Sequence, residues 1–376
     1  MRIAMILSTP IPPREGIGYY AWNLARYLTN KGHEIHLITR GGPSKSTKEI
    51  IEKVTVWKPP FIPIYPLHAY LHGVFVDLLL KKLQPDFDLL HVHTPLIKFP
   101  RTKLPVVVTV HTTMKADVGS IDLNCSPALL THLQVPFSIQ LERGVFHNAA
   151  KIVAVADSVA VELAAYGIDT KKIFILGNGV DTQIFNSAEV KPTPLRPYIL
   201  TVGRLGLRKG LEDLLLCAKR VVELYSGIDF VFAGEGPLRT RLQKQIRRLG
   251  LGKRIHLIGH ISDRQQMASL YRGAAAYVHP AHYEGLPTAL LEAMACGCPV
   301  VSTAVSGAFD VLQHGWNGLL SPPRDPDALA QALTNIIQSP SLSKELGENA
   351  INTIQTRFSW NVVSKNYLAQ YESIFH

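Results

Sequence analysis

Residues 281–301 read AHYEGLPTALLEAMACGCPVV, a stretch that begins as a turn, continues as a helix and ends as a strand. Pro287 suits the first turn of a helix, and residues 289–295 are good helix formers. Glu284 and Glu292 are eight positions apart. Glu284 therefore falls in the loop before the helix, and Glu292 falls about two turns further along it.

Backbone N–H groups at residues 286–288 are expected to face an anion, because the first N–H groups of a helix have no partner inside it. The same half of the chain carries Arg204 and Lys209, in VGRLGLRKG. Cations suit a diphosphate, and carboxylates accept hydrogen bonds from sugar hydroxyls. The combination predicts a site for a nucleotide diphosphate-sugar, whereas two glutamates alone would indicate surface residues of an amphipathic helix.

Short β-branched runs alternate with helical patterns along the chain, which predicts βαβ units with parallel sheets. The proline-punctuated stretch at residues 186–197, NSAEVKPTPLRP, indicates an interdomain linker. We predict an α/β fold of two doubly wound domains that bind ligand at the carboxyl ends of their strands. The predicted strands are 3–8, 34–39, 88–93, 106–110, 152–156 and 173–176 before the linker, and 198–203, 230–233, 255–258, 275–279 and 300–303 after it.

Further motifs occur in an order typical of one enzyme family. They are PPREGIGYYAWNLARYLTNKGHEIHLIT, LLHVHTP, VVVTVHTT, AAKIVAVADSV, ILGNGVDTQIF, ILTVGRLGLRKG, FAGEGPL, IHLIGHI, EGLPTALLEAMACGCPVV and GWNGLL. With them the chain resembles, over nearly its whole length, the GT4-type family of retaining glycosyltransferases, which have the GT-B fold. The resemblance implies two Rossmann-like domains facing a central cleft: 1–190 on the acceptor side and 191–358 for the nucleotide-sugar, with a helix at 359–376 crossing back to the first domain.

The resemblance also implies a reaction. A hexosyltransferase-type enzyme would move a sugar from a UDP- or GDP-sugar to an acceptor hydroxyl, with retention of configuration and without a bound metal. Arg204 and Lys209 would stabilise the leaving diphosphate, Glu284 would bind sugar hydroxyls, and Glu292 would bind the ribose. His111, directly after an apolar strand, would contact the donor sugar. The predicted catalytic residues are His111, Arg204, Lys209 and Glu284.

Glycine-containing loops complete the predicted donor site. Gly16 and Gly18 open the first helix, where backbone can approach a phosphate or sugar closely. Gly236 is expected to border the nucleoside, and His260 with Ile261 to offer backbone groups to the base. The predicted donor-binding residues are Gly16, Gly18, Arg204, Lys209, Gly236, His260, Ile261, Glu284, Gly285, Leu286, Pro287, Thr288 and Glu292.

Two histidines lie close together in a predicted strand, and only one of them is expected to belong to the site. His93 also lies at a predicted strand end, but His91 points the same way in a strand, so one of these two is expected to be structural.

Some residues depart from the family pattern. Gly285-Leu286-Pro287 stands where many relatives have Gly-Phe-Gly. Ser306-Gly307 and Asp310 stand where a Gly-Gly pair and a glutamate are frequent. These departures leave the donor sugar and the acceptor open.

Composition narrows the class of protein. The chain has 376 residues with 47% hydrophobic and 18% charged residues, which is typical of a folded globular protein. Its net charge of +10 is spread over both halves without a nucleic-acid-binding motif, which argues against nucleic acid as a partner. The four cysteines lack zinc-ligand spacing, so we predict no metal site. No apolar run is long enough for a signal peptide or a membrane span, which predicts a cytoplasmic protein.

Residues 56–75, VWKPPFIPIYPLHAYLHGVF, are rich in aromatic and apolar side chains, and Lys98, Arg101 and Lys103 follow in IKFPRTKLP. Basic and aromatic residues together favour anionic headgroups. We predict an amphipathic acceptor, such as a glycan or glycolipid, and peripheral contact with an anionic membrane on the inner face of the plasma membrane. The alternatives are a buried connection in the fold and a small-molecule acceptor.

Other functions are compatible with the predicted fold, because fold alone does not decide chemistry. A nucleotide-sugar epimerase would form product from the nucleotide-sugar alone, and a sugar phosphorylase would need inorganic phosphate. A non-catalytic nucleotide-sugar-binding subunit is a third alternative. The presence of every charged residue of the predicted site argues against this last one.

Overall fold

The computed structural model describes residues 1–13, 16–64, 67–83, 86–115, 126–188 and 197–376, with the backbone alone for residues 126–134. The chain forms two compact units. Unit 1 contains Met1–Gly179 together with Trp360–His376, and unit 2 contains Val180–Ser359. Most of the predicted linker, as well as Arg14 and Glu15 of the glycine-rich loop, lies outside the described residues.

Unit 1 is built on a sheet that has eight strands within the described residues, in the order β3-β4-β2-β1-β5-β6-β7-β8. Neighbouring strands run parallel, except that β3 and β4 are antiparallel. The strands are β1 Arg2–Ile6, β2 Glu34–Ile38, β3 Thr47–Ile51, β4 Val54–Lys58, β5 Leu89–Thr94, β6 Val106–Val110, β7 Lys151–Ala154 and β8 Ile173–Ile175.

The β3–β4 hairpin corrects the sequence prediction, which had no strand between residues 39 and 88. Most of β3 is exposed, and its sequence TKEII lacks the apolar alternation that marks a half-buried strand.

The helices of this part of unit 1 are α1 Gly16–Asn30, α2 His68–Leu83, α3 Ser126–Asn148 and α4 Asp157–Ala164.

The C-terminal helix, Trp360–Glu372, packs in the core of unit 1. It buries Trp360, Val363, Tyr367 and Tyr371 beside residues of β1 and α1. These four side chains recur every three or four residues, so they share one face of the helix. The aromatic side chains of this face are therefore part of the core.

Unit 2 has a sheet of six strands in the described residues, all parallel, in the order β11-β10-β9-β12-β13-β14. The three-residue β14 was not predicted, because its sequence LLS contains no β-branched residue. The strands are β9 Tyr198–Val202, β10 Asp229–Ala233, β11 Ile255–Gly259, β12 Ala276–His279, β13 Val300–Thr303 and β14 Leu319–Ser321. The helices are α5 Leu211–Leu224, α6 Arg239–Arg248, α7 Arg264–Gly273, α8 Thr288–Ala295, α9 Ser306–Phe309, α10 Pro326–Gln338 and α11 Pro340–Thr353.

The carboxyl ends of parallel strands meet at one edge of a sheet. In unit 1 this edge carries His93 on β5 and His111 directly after β6. In unit 2 it carries Arg204 after β9 and His279 at the end of β12. The fold thus gathers most of the predicted site residues at these two edges.

Candidate active site

Unit 2 has a recess at the carboxyl end of β9. Gly203, Arg204, Lys209, His279 and Pro280 are among the residues that line it. Lys209 ends the 3-10 turn Leu207–Lys209, which directly precedes α5. The recess therefore brings together the two predicted phosphate-binding cations and a histidine that the sequence prediction did not include.

Gly210, at the start of α5, is required by close backbone packing. Its φ is +58°, in the left-handed region, and a Cβ there would lie 1.8 Å from the carbonyl oxygen of Pro280. A side chain at this position would push apart the Lys209 turn and the strand end of β12. The neighbouring Gly236 is also packed, since a Cβ on it would lie 2.4 Å from the Leu205 carbonyl oxygen.

Glu284 is held by an ion pair with Lys209. The two side chains are 24% and 25% exposed, so the pair is largely screened from water. Burial alone would raise the pKa of Glu284, but Lys209 and then His279 lower it below the ordinary value. Glu284 is therefore ionised at neutral pH and poised to accept hydrogen bonds.

The backbone of Glu284 is fixed by residues at the start of α9. Ser306 Oγ donates to the Glu284 carbonyl oxygen at 2.6 Å, and the Gly307 amide donates to the same oxygen at 3.1 Å. A Cβ on Gly307 would lie 1.2 Å from the Gly285 carbonyl oxygen. Ser306 and Gly307, which differ from the frequent Gly-Gly pair of the family, therefore hold the Glu284 loop in position.

Helix α8 begins one residue later than predicted. Pro287 is the extended residue before the helix, and no side chain caps it. Gly285 and Leu286 are buried, while Thr288 is half-buried. Since the Leu286 side chain is buried in the protein, any contact of this residue with a ligand would be through its backbone.

Glu292 has two polar partners inside unit 2. Arg264 Nη2 donates to Oε1 and Tyr271 Oη donates to Oε2, both at 3.2 Å. Burial raises the pKa of Glu292, and Arg264 acts in the opposite direction. Each carboxylate oxygen accepts one of these bonds and has capacity for another. A ligand is therefore not needed to stabilise this glutamate, although it retains sites for one.

Arg204 and Arg208, two arginines close together in the sequence, differ in exposure. Arg204 is exposed at the mouth of the recess. Arg208 is half-buried, with its guanidinium carbon 5.9 Å from the centre of the Tyr283 ring. Arg204 is therefore the one of the two that is open to a ligand.

The two glycine loops after β10 and β11 are joined by a backbone hydrogen bond. The Gly234 amide donates to the Gly259 carbonyl oxygen at 2.7 Å. Beyond this contact, His260 is exposed and Ile261 is half-buried. The exposed loop leaves His260 accessible to a ligand.

In unit 1, Gly16 and Gly18 open α1 but differ in environment. Gly16 is exposed with open space where a Cβ would be, whereas a Cβ on Gly18 would lie 3.1 Å from Thr9 Oγ1. Gly18 therefore allows the helix to pack closely against the preceding loop. Of these two glycines, Gly16 is the one with exposed backbone.

His111 lies beside two other aromatic rings of unit 1. His93 Nδ1 is 3.4 Å from His111 Nε2, and the Tyr20 ring approaches His111 edge-on with centroids 4.8 Å apart. Burial lowers the pKa of His111 to about 3. His111 is therefore neutral at neutral pH, with one ring nitrogen able to donate and the other to accept.

His91 is the structural member of the strand-end pair. It is fully buried, with its ring 4.2 Å from that of His93. Its Nε2 and Nδ1 form hydrogen bonds of 2.7 and 2.8 Å with Thr109 Oγ1 and Tyr371 Oη. Since both ring nitrogens of His91 are used inside the core, His93 is the one that contacts His111.

Two glutamates anchor the backbone that follows His111. The Met114 amide donates to both oxygens of Glu142, at 3.1 and 3.0 Å, and Thr113 Oγ1 donates to Glu162 at 2.8 Å. Tyr166 Oη also donates to Glu142, at 2.9 Å. Burial raises the pKa of Glu142 to about 7. Sequence patterns gave no signal for these anchors, because their partners are distant in the chain.

Within the described residues, no group of three or more His, Cys, Asp or Glu side chains is arranged to hold a metal ion. None of the helices in the same residues has the length and apolar content needed to span a bilayer.

Comparisons with known proteins agree with this arrangement. Residues 14–184 match Glycosyltransferase Family 4, and residues 183–353 match Glycosyl transferases group 1. The phosphatidyl-myo-inositol mannosyltransferase of Mycolicibacterium smegmatis is 27% identical, over 100% of this chain and 94% of that protein.

Two solved structures have the same fold. Sucrose-phosphate synthase from Thermosynechococcus elongatus superposes with a TM-score of 0.83 at 21% identity, over 100% of this chain and 99% of that chain. HepE from Anabaena, in complex with UDP-glucose, superposes with a TM-score of 0.76 at 16% identity, over 99% of this chain and 100% of that chain.

The chain belongs to the GT4 family of glycosyltransferases and has the GT-B fold. It is a glycosyltransferase that uses a nucleotide-sugar donor, and retention of configuration is consistent with its family. Enzymes of this family are generally metal-independent. The predicted family, fold and enzyme class are confirmed.

Proposed function

We propose that unit 2 binds a UDP- or GDP-sugar in the recess beside Lys209. Arg204 and Lys209 hold the diphosphate, Glu284 binds the sugar hydroxyls, and Glu292 binds the ribose. The observation that carries the proposal is the Lys209–Glu284 ion pair, since it joins an ionised carboxylate to an ammonium group that lines the recess. The structural neighbour with UDP-glucose bound supports this class of donor.

The remaining donor-site residues contribute backbone. Gly285, Leu286, Pro287 and Thr288 form the loop and helix start beside Glu284. Gly236, His260 and Ile261 lie after β10 and β11, on the nucleoside side of the proposed site. Gly16 and Gly18, in unit 1, are proposed to offer backbone at the start of α1 to a phosphate or a sugar.

The reaction proceeds at the front face of the sugar. The bond between the anomeric carbon and the diphosphate oxygen breaks as the acceptor oxygen bonds to the same carbon. Arg204 and Lys209 stabilise the negative charge on the leaving diphosphate, whose oxygen takes the acceptor proton. His111, neutral at neutral pH, hydrogen-bonds the donor sugar and stabilises the transition state. None of these steps uses a metal ion.

The acceptor is amphipathic, and unit 1 works at an anionic membrane surface. Helix α2 exposes Tyr70, Val74 and Leu78, which are four residues apart and therefore on one face. Lys81 and Lys82, in the last turn of α2, are exposed near this stripe. A glycolipid or cell-surface polysaccharide precursor suits such a surface.

Two of the basic residues that follow α2 lie beside the carboxylate of Asp77, so they are less available to an anionic membrane than the sequence predicted. Lys98 is bound to Asp77, and Arg101 Nε lies 3.9 Å from the same carboxylate. Lys103 is exposed. Buried Cys217, Cys296 and Cys298 are free thiols, which suits the reducing cytoplasm at the inner face of a membrane.

An incubation with a panel of nucleotide-sugars and candidate acceptors, followed by mass spectrometry, tests the proposal. We expect a glycosylated acceptor and free nucleoside diphosphate, in equal amounts, in the presence of a chelator. The Lys209→Ala variant serves as the control for contaminating activity. Product from the nucleotide-sugar alone would indicate an epimerase, and a requirement for inorganic phosphate would indicate a phosphorylase.

A further inference from the structure

His279 is a buried histidine whose outer ring nitrogen has no hydrogen-bond partner. Its side chain, at the end of β12, lines the recess and is 3% exposed. Nδ1 lies 3.4 Å from Tyr277 Oη, whereas Nε2 lacks a partner in the part of the chain that the structure describes. Nε2 is 3.9 Å from Glu284 Oε2. An unsatisfied polar nitrogen thus faces the carboxylate of the proposed sugar-binding residue.

The surroundings of His279 determine which nitrogen carries its proton. Burial and then Lys209 lower the pKa of His279 to about 4, so the ring is neutral and has one N–H. A lone pair on Nε2 would repel the negative oxygen of Glu284, whereas an N–H would be attracted to it. Nδ1 then accepts a hydrogen bond from Tyr277. The favoured form of His279 therefore directs an Nε2–H toward Glu284.

Lys209 has two anionic partners once a donor is bound. It contacts Glu284 and lines the recess in which the diphosphate is proposed to lie. A diphosphate carries more negative charge than one carboxylate, and the flexible lysine side chain can turn toward it. Glu284 would then lose the cation that offsets its burial, at a cost in free energy.

We propose that His279 is a positioning residue that replaces Lys209 as the partner of Glu284 when a donor diphosphate binds. Its Nε2–H donates to Glu284 Oε2 and keeps the carboxylate ionised and directed at the sugar hydroxyls. The inference rests on the proposed function, since it requires a nucleoside diphosphate-sugar in the recess.

Two substitutions distinguish a hydrogen-bonding role of His279 from a role in packing alone. His279→Leu fills the space without a donor, and His279→Gln restores an N–H. The matched control is His256→Gln, which changes a partly exposed histidine bound to Asp229 on another strand. Circular dichroism and thermal melting establish that each variant is folded.

Calorimetry with UDP and GDP, and kinetics with the nucleotide-sugar that the wild type uses, give the readouts. We expect His279→Leu to bind the nucleoside diphosphate within about twofold of wild type but to lose about tenfold to hundredfold in kcat, as for a lost hydrogen bond to a charged group. His279→Gln should recover most of kcat. Wild-type kcat in His279→Leu, equal loss in both variants, or a matching loss of diphosphate affinity would each overturn the proposal.

Nitrogen-15 NMR of the histidine-labelled, ligand-free protein tests the geometry independently of activity. The signal missing from His279→Gln identifies His279, and its shifts should be those of the Nε2–H form. The Nδ1–H form would overturn the inference even in an active enzyme. A wild-type protein that binds no nucleoside diphosphate would overturn the proposed function and this inference together, which distinguishes the two failures.

Discussion

Lys209 lines the proposed site and forms an ion pair with Glu284, a second charged residue of that site. Its ammonium group contacts Glu284 and lines the recess that also contains Arg204 and His279. Lysine and glutamate at this spacing in the sequence could equally have been surface residues. Their largely buried ion pair holds the ammonium group in place, and a preorganised positive charge of this kind is what the proposed leaving diphosphate requires.

Replacing Lys209 or Arg204 by alanine is expected to lower turnover far more than stability. Loss of one preorganised charge at a reacting centre reduces kcat by about 100-fold to 1,000-fold. Steady-state kinetics and thermal melting of Lys209→Ala and Arg204→Ala measure the two effects. Lys219→Ala, on the exposed surface of α5, is the control. Wild-type turnover in a folded Lys209→Ala protein would remove the assignment.

Glu292→Gln is expected to weaken binding of the nucleoside diphosphate clearly. The substitution keeps an acceptor for Tyr271 but removes the charge that pairs with Arg264 and strengthens the proposed bond to ribose. Calorimetric titration with UDP and GDP measures the affinity, and Glu345→Gln on an exposed surface is the control. If affinity is unchanged, the role of Glu292 is confined to its bonds with Arg264 and Tyr271.

At the scale of elements, the loop after β6 depends on a buried carboxyl group of α3. Glu142 is 2% exposed and accepts the Met114 amide three residues after His111. Its pKa of about 7, raised by burial from 4.5, means that the folded protein favours the protonated form. The contribution of Glu142 to stability is therefore fully present below pH 4.5 and is lost as the pH rises to about 7.

Comparison of the wild type with Glu142→Gln isolates this contribution. The free energy of unfolding of the wild type, relative to the variant, should fall by about 3 kcal/mol between pH 4.5 and pH 7, at about 1.4 kcal/mol per unit of pKa shift. Urea denaturation at several pH values measures it. A difference that does not change with pH would mean that Glu142 has an ordinary pKa.

Helix α2 is expected to bind anionic membranes through its exposed stripe. Replacing Tyr70, Val74 and Leu78 together by serine or glutamine removes the apolar face without touching the core, since all three are exposed. Sedimentation with anionic and neutral vesicles, at low and high salt, should show salt-sensitive binding of the wild type to the anionic vesicles and its loss in the variant. Leu224→Gln, an exposed apolar residue of unit 2, is the control.

The membrane proposal also has a clear contrary outcome. Absence of any preference for anionic vesicles, together with efficient transfer to a fully water-soluble acceptor, would leave a glycosyltransferase without membrane contact. The exposed stripe on α2 would then need another partner.

At the scale of the whole molecule, the chain end returns to the sheet with which the chain begins. Tyr367 Oη bonds to Tyr20 Oη at 2.6 Å and to Thr109 Oγ1 at 2.8 Å. Tyr371 bonds to His91 in the same core. The C-terminal helix therefore completes the polar interior of unit 1 beside His93 and His111.

Tyr367→Phe is expected to destabilise unit 1. The substitution removes one hydroxyl and leaves the buried hydroxyls of Tyr20 and Thr109 without that partner, at a cost of about 1–3 kcal/mol. Urea denaturation followed by tryptophan fluorescence reports it, since Trp360 is buried beside Tyr20. Tyr70→Phe, at an exposed position, is the control. An unchanged free energy of unfolding would show that water replaces the lost partner at no cost.

Local sequence patterns predicted much of the fold and several residues of the candidate site. Alternating strands and helices predicted two parallel-sheet units, because βαβ periodicity is local, and positions at or after strand ends made His111, Arg204 and Lys209 candidates for the site. The motif around Glu284 and Glu292, together with nine others in the same order as in the family, indicated the family. The sequence did not predict β3, most of which is exposed, or β14, whose sequence LLS contains no β-branched residue.

Tertiary structure decided which of these residues act on one another. The Lys209–Glu284 pair spans 75 positions, and the Ser306 bond to the Glu284 backbone spans 22. His279 ended the predicted strand 275–279, but nothing else in the sequence distinguished it from the other fourteen histidines. Its burial, its unpartnered nitrogen and its distance from Glu284 depend on how β12 and the Glu284 loop pack. Partners distant along the chain leave no periodic signal, so chain topology alone brings them together.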